Sequence, residues 1–202
     1  MTAITTQHIA AAVSGAKAAM GDLEQVLNEA DSKLGDGDTG SMLTRLIDRL
    51  AEADTATEPS LSDTFSKLAR AAMGATGSSL GTLFATGLMT ASRMTKGREA
   101  IPWSELAPLL SASRDAMMAR GGAKLGDKTV LDAIHEVALA VEGLNDPVAV
   151  AQSAKQAGQV VLERFFNESC KVGRARMFAD KSVGMHDPGM LAFVKLVDAV
   201  AR

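Results

Sequence analysis

The chain has 202 residues, 47% of them hydrophobic, yet its aromatic share is only 3%: six Phe, one Trp and no Tyr. A core must then come from Ala, Leu, Val and Met, which argues against an all-β fold and against an aromatic stacking platform for nucleic acid. Its 21 Lys+Arg against 24 Asp+Glu give a net charge of −3, so no basic field exists to hold a polynucleotide.

In chain order, the apolar stripe Ile9, Val13, Ala16, Met20, Leu23 and Leu27 recurs at intervals of four and three and predicts a long first helix. Leu43, Leu46 and Leu50 mark a shorter second one. Ser60-x-x-Asp63 reads as a capping box before the third stripe, Leu61, Phe65, Leu68 and Ala72. The fourth carries Leu80, Phe84, Gly87, Ala91 and Met94, and the fifth Leu106, Leu110, Ser113 and Met117, with the serine its weak point. Val130, Ile134, Val137 and Val141 give the sixth. Asp146-Pro147 and Asp187-Pro188 each place an N-cap before a proline at the first helical position. They open the seventh stripe (Ala151, Ala154, Gly158, Val161, Phe165) and the eighth (Phe193, Val197, Val200). The small residues of the seventh allow close approach to its neighbours. No stretch of four to eight residues alternates as a strand.

The expected fold is all-α, an eight-helix antiparallel up-down barrel or bundle. With alternating directions, the loops after helices one, three, five and seven share one end. They hold DSKLGDGDTG (31–40), GATGSS (74–79), GGAKLGDKT (121–129) and the stretch 171–189. The opposite end, around 53–60, 96–103 and 142–147, is bland. One end of the bundle is therefore the expected site. With no apolar run of membrane-spanning length and no signal-like start, a single cytoplasmic domain over residues 1–202 is expected, with no membrane and no nucleic-acid partner.

Asp31, Asp36 and Asp38 place three carboxylates in one glycine-punctuated loop. Hard oxygen ligands without His or Cys favour Mg²⁺ or Ca²⁺ over zinc. The competing reading is a turn followed by an N-cap. An EF-hand is excluded, because the twelfth position from Asp36 is Ile47 and from Asp31 is Met42, so its bidentate Glu is missing. Gly74 to Gly81 puts Thr76, Ser78 and Ser79 at a helix start, an anion cradle or a close-packed cap. GGAKLGDKT nearly mimics a phosphate-binding P-loop, but Asp127 interrupts it and no strand precedes it. Asp127 reads as a helix N-cap, and Lys128 as a solvated lysine or a phosphate contact. Arg174, Arg176 and Lys181 supply cations in the seventh loop. His186 reads as a packing residue. The single Cys170 can make neither an internal disulfide nor a multi-cysteine metal site and reads as buried. Carboxylates, an anion cradle and nearby cations together fit a Mg²⁺-nucleotide site for phosphoryl transfer.

LGDGDTG at 34–40, GATGSSLGTLF at 74–84, GGAKLGDKTVLDA at 121–133, and GRA with HDPG in 173–189 occur in one order. In that order they resemble the L subunit, the nucleotide-binding subunit, of the dihydroxyacetone (glycerone) kinases. The resemblance implies an eight-helix barrel carrying ADP or ATP and two Mg²⁺ at one end. It implies Asp31, Asp36 and Asp38 as metal ligands. Nucleotide contacts would come from Thr39, Gly40, Ser41 and Met42, then Ala75 and Thr76, then Gly121 and Val130 near the base. Arg174, Asp187, Pro188 and Gly189 would complete the pocket. No catalytic residue is expected in this chain, since a separate K subunit would hold the ketose covalently. The resemblance also implies a phosphotransferase M subunit as a partner where bound ADP is recharged. Thr39 and Met42 stand where many phosphotransferase-dependent members carry His and Asn, and Leu125 replaces a frequent proline. These departures leave the phosphoryl source, and a three- or four-carbon ketose, open. A non-catalytic nucleotide-dependent interaction module is the alternative.

Overall fold

The computed structural model describes residues 3–75 and 79–201. Among the described residues, eight α-helices match the eight stripes: α1 Thr6–Asp31, α2 Thr39–Glu52, α3 Leu61–Ala75, α4 Ser79–Met94, α5 Leu106–Gly121, α6 Val130–Ala140, α7 Pro147–Phe165 and α8 Pro188–Val200. Consecutive helices pack on one another and α8 returns to α1, which closes the ring; α6 touches both α7 and α8. Leu27, Leu46, Leu68, Val161, Met190 and Val194 lie at the centre of the main core, each almost completely buried. Among the described residues no helix is long and apolar enough to cross a membrane.

Local signals set the helix starts. Asp146 Oδ1 accepts the Ala149 N–H at 2.8 Å, and Asp187 Oδ1 accepts the Met190 N–H at 2.8 Å, each with proline in the first turn. Ser60 Oγ accepts the Asp63 N–H at 3.1 Å and donates to the Asp63 carboxylate at 2.6 Å. The close approach expected of α7 is realised at Gly158, where an added Cβ would stand 3.0 Å from Val194 Cγ1. Ser113, on the fifth stripe, donates to the Gly87 carbonyl at 3.2 Å instead of burying an unpaired hydroxyl. Small residues such as Gly87, Ala91 and Ala192 leave an apolar cavity of about 240 Å³ inside the barrel.

Two features escape the helical reading. β1 (Ala3–Thr5) and β2 (Ala100–Pro102) pair antiparallel, Ile4 opposite Ile101, both side chains buried. Three residues are too few to show alternation, so these strands have no sequence signature. The stretch 171–189 is also not a plain loop: Arg174–Ser182 winds as 3-10 helix with a kink at Phe178.

Candidate functional site

The acidic loop is built by Asp31. This residue ends α1, is buried, and its Oδ2 accepts the backbone N–H of Asp38 at 2.9 Å and of Thr39 at 3.2 Å. Asp31 thus does for α2 what an N-cap side chain does, from the preceding helix. Asp38 occupies the N-cap position but makes no side-chain capping bond, so its carboxylate is left for other work. Gly37, at φ +78°, supplies the left-handed turn between Asp36 and Asp38. One carboxylate oxygen from each of Asp31, Asp36 and Asp38 lies within 4.8 Å of the others. Asp36 is exposed and pairs with the Arg174 guanidinium. Three hard oxygen donors at this spacing fit a Mg²⁺- or Ca²⁺-class ion.

These carboxylates rim a cavity of about 660 Å³ at one end of the barrel. Its lining includes Thr39, Met42, Gly121, Val130, Arg174, Asp187, Pro188 and Gly189 with the three aspartates, so most of the residues implied by the resemblance converge on one space. Sequence reasoning missed Arg120 and Thr129, which also line it. Arg120 directly precedes Gly121, and adjacency to a motif was the only available signal.

Other expected residues lie elsewhere. Gly40 and Ser41 face α1. The Ser41 N–H donates to Asn28 Oδ1 at 3.1 Å and its hydroxyl to Glu24 Oε1 at 2.8 Å, while Thr44 donates to Glu24 Oε2 at 2.8 Å. These two hydroxyl bonds hold the Glu24 carboxyl below its ordinary range. Ala75 ends α3 and packs against the main core. Thr76, with Gly77 and Ser78 of the expected anion cradle, lies outside the described residues.

Two readings of GGAKLGDKT are corrected. Asp127 is not the N-cap: Thr129 is, its Oγ1 accepting the Leu131 N–H at 3.1 Å in a capping box with Asp132. The Asp127 carboxylate instead accepts the Lys124 N–H at 2.8 Å within the turn. Nor is Lys128 solvated or turned to the cavity; it is 1% exposed, its ammonium held by main-chain carbonyls. Cys170 is buried as expected, with Leu34 and Ala175, in a small apolar cluster joining the acidic loop to the segment after α7. The His186 ring packs on Phe166, 5.1 Å between centroids, and burial pulls its pKa down. Arg176 and Lys181 are exposed.

Asp187 shows the strongest electrostatic shift. Burial pushes its carboxyl up to about 6, against the opposing pull of the Met190 N–H and of Lys128. The folded state therefore holds this proton more tightly than the unfolded chain. Its stabilising contribution is full below about pH 4 and is lost as pH rises to about 6. Asp187→Asn keeps an acceptor for the cap and removes the titration. The melting-temperature gap, variant minus wild type, is expected to widen from pH 4 to 6 and then level; a gap independent of pH would contradict the shift.

The arrangement is an all-α barrel with an acid-rimmed cavity at one end, and the chain belongs to the DAK2 domain family, whose model matches residues 33–202. It is 28% identical to the ADP-binding subunit DhaL of PEP-dependent dihydroxyacetone kinase 1 from Listeria innocua, over 89% of this chain and 87% of that one. It is also 28% identical to L-erythrulose 1-kinase of Mycolicibacterium smegmatis, over 90% of this chain but 33% of that protein. The crystal structure of the C. freundii dihydroxyacetone kinase in complex with AMP-PNP and Mg²⁺ superposes with a TM-score of 0.73 at 25% identity. That match covers 96% of this chain and 33% of the other. The chain thus spans most of a DhaL subunit and about a third of the longer kinases.

Proposed function

We propose that residues 1–202 form one nucleotide-binding domain, the ADP/ATP-Mg²⁺ subunit of a dihydroxyacetone kinase or a related ketose kinase. The convergence of Asp31, Asp36 and Asp38 on a cavity also lined by Arg120 and Arg174 carries this reading. The three carboxylates would hold Mg²⁺, two ions by the family resemblance. Bound there, the metal would neutralise phosphate charge and align the transferred group. Of the residues that line the cavity, Thr39 and Met42 would contact the nucleotide, Gly121 and Val130 would lie near its base, and Arg174, Asp187, Pro188 and Gly189 would complete the pocket. Gly40 and Ser41 serve it by fixing α2 on α1, and by the family resemblance Ala75 and Thr76 would contribute on the phosphate side. The described cavity lining offers no aromatic ring, so the base is held by aliphatic side chains, backbone and guanidinium planes.

The acceptor ketose is held by a separate K subunit, and the pair works in the cytoplasm, where nucleotide and Mg²⁺ are supplied. The test mixes the purified chain with ketose-binding subunits, Mg-ATP and either dihydroxyacetone or L-erythrulose, and assays ketose phosphate. A parallel arm supplies a phosphotransferase M subunit in place of ATP. Turnover in one arm is expected and identifies the donor. Intact Mg-nucleotide binding without turnover in either arm would favour a regulatory module. ADP retained through gel filtration would match the recharged mode, and rapid exchange the ATP-dependent one.

A further inference from the structure

Lys128 stands where a phosphate-binding loop would carry its lysine, yet it does not line the cavity. An ammonium has three donors, and all three are occupied: by the carbonyls of Glu168 at 2.7 Å, Ser182 at 2.9 Å and Phe166 at 3.4 Å. Those carbonyls flank both ends of the segment 166–184, so the buried charge closes that segment as an internal cation. Burial pulls the ammonium's pKa down, while Cys170, Asp187 and Glu168 favour its charge. Lys128 also holds φ +60°, a left-handed conformation unfavourable for a side chain with Cβ, which persists where surrounding bonds fix it.

The segment reaches back in turn. The Lys171 N–H donates to the Asp127 carbonyl at 3.1 Å, and Lys171 Nζ to the Gly126 carbonyl at 2.7 Å. The Gly184 N–H closes the base of the segment on the Phe166 carbonyl at 2.8 Å. The loop carrying Lys128 is itself pinned to α6, because the buried Asp132 carboxylate accepts the N–H of Gly126 at 2.6 Å and of Thr129 at 2.8 Å. What this framework holds is the cavity wall: Arg174, paired with Asp36, and Ala175, packed with Leu34 of the acidic loop.

We propose that Lys128 and Lys171 form a reciprocal clasp between the 121–129 loop and the 166–184 segment, which sets Arg174 against the Asp31–Asp36–Asp38 cluster. Lys128 is then a positioning residue and touches no nucleotide. The inference rests on the nucleotide-binding reading above.

Lys128→Met keeps the apolar stem and removes all three donors. ADP affinity in Mg²⁺, measured by calorimetry with helical content as a fold check, is expected to fall about tenfold or more, as for other supporting-shell changes. In an Arg174→Ala background the same substitution is expected to cost about threefold or less, because coupled residues are non-additive. An equal loss in both backgrounds means a general structural role and overturns the clasp; so does no loss at all. If Lys128→Met does not fold, the exposed Lys171→Met decides. Its smaller loss must likewise vanish with Arg174→Ala, and an additive or absent effect overturns the proposal. Asp31→Asn serves as the separate control. If it leaves Mg-dependent ADP binding intact, the nucleotide-site reading fails first, and the clasp falls with it.

Discussion

Asp31→Asn is expected to reduce Mg²⁺-dependent ADP affinity by about 100-fold or more, since outer-shell changes alone reach 10- to 100-fold at metal sites. Asp31 has two tasks that this substitution separates. Its charge belongs to the carboxylate cluster, while its Oδ2 accepts the N–H groups of Asp38 and Thr39. Asparagine keeps an acceptor oxygen for the second task and removes the charge needed for the first. Helical content and melting temperature should therefore change little. Asp31→Ala removes both functions and should additionally cost about 1 kcal/mol of stability, as for loss of a helix cap. The measurement is calorimetric titration with ADP, with and without Mg²⁺, beside thermal unfolding. Equal ADP affinities for wild type and Asp31→Asn in Mg²⁺ would remove the assignment of the metal to this cluster. Asp36→Asn should also weaken Mg-nucleotide binding severely without loss of helix, and it releases Arg174 as well.

The parts legible in the sequence share a physical property: they are periodic or locally capped. Stripes such as Leu61, Phe65, Leu68 and Ala72 repeat every turn because one face of α3 meets the core. Asp146 and Asp187 advertise helix starts because capping chemistry is local. The alternation of eight helices then brings the odd loops together, which is why the end that carries the cavity could be anticipated, whereas its individual lining residues followed from the family resemblance. What stayed hidden depends on contacts between distant segments. Lys128 reads as a surface cation, since nothing nearby in sequence shows that carbonyls 38 to 54 residues away surround its ammonium. Asp127 and Thr129 are both good N-cap residues; Thr129 takes the role because Asp132 completes its capping box, while Asp127 turns back to Lys124. Glu24 and Asn28 look like the polar face of α1 until α2 lies across them.

Gly40→Ala carries the second large effect, with a direction opposite to local propensity. Alanine in place of glycine inside a helix ordinarily adds about 0.5–1 kcal/mol of stability. At Gly40, near the start of α2, an added Cβ would stand 2.0 Å from the Glu24 carbonyl oxygen and 2.8 Å from Asn28 Oδ1. The first of these obstacles is main chain and cannot rotate away. The two helices are also tied at this point by Ser41 and Thr44 to Asn28 and Glu24, so relief of the clash must break those bonds. Overpacking of this kind costs about 1–3 kcal/mol, occasionally more, and a clash against backbone belongs at the upper end. At about 2–4 °C per kcal/mol for a chain of this size, the melting temperature should drop by about 5 °C or more. Because α2 begins at Thr39, beside Asp38, its displacement should also weaken Mg-ADP binding. Gly21→Ala is the matched control: this α1 glycine has nothing within 4 Å of an added Cβ, so the substitution should stabilise by the propensity gain alone. If Gly40→Ala melts at or above wild type, the close approach of α1 and α2 at the acidic loop is wrong, and the account of how Asp31 and Asp38 are held together loses its support.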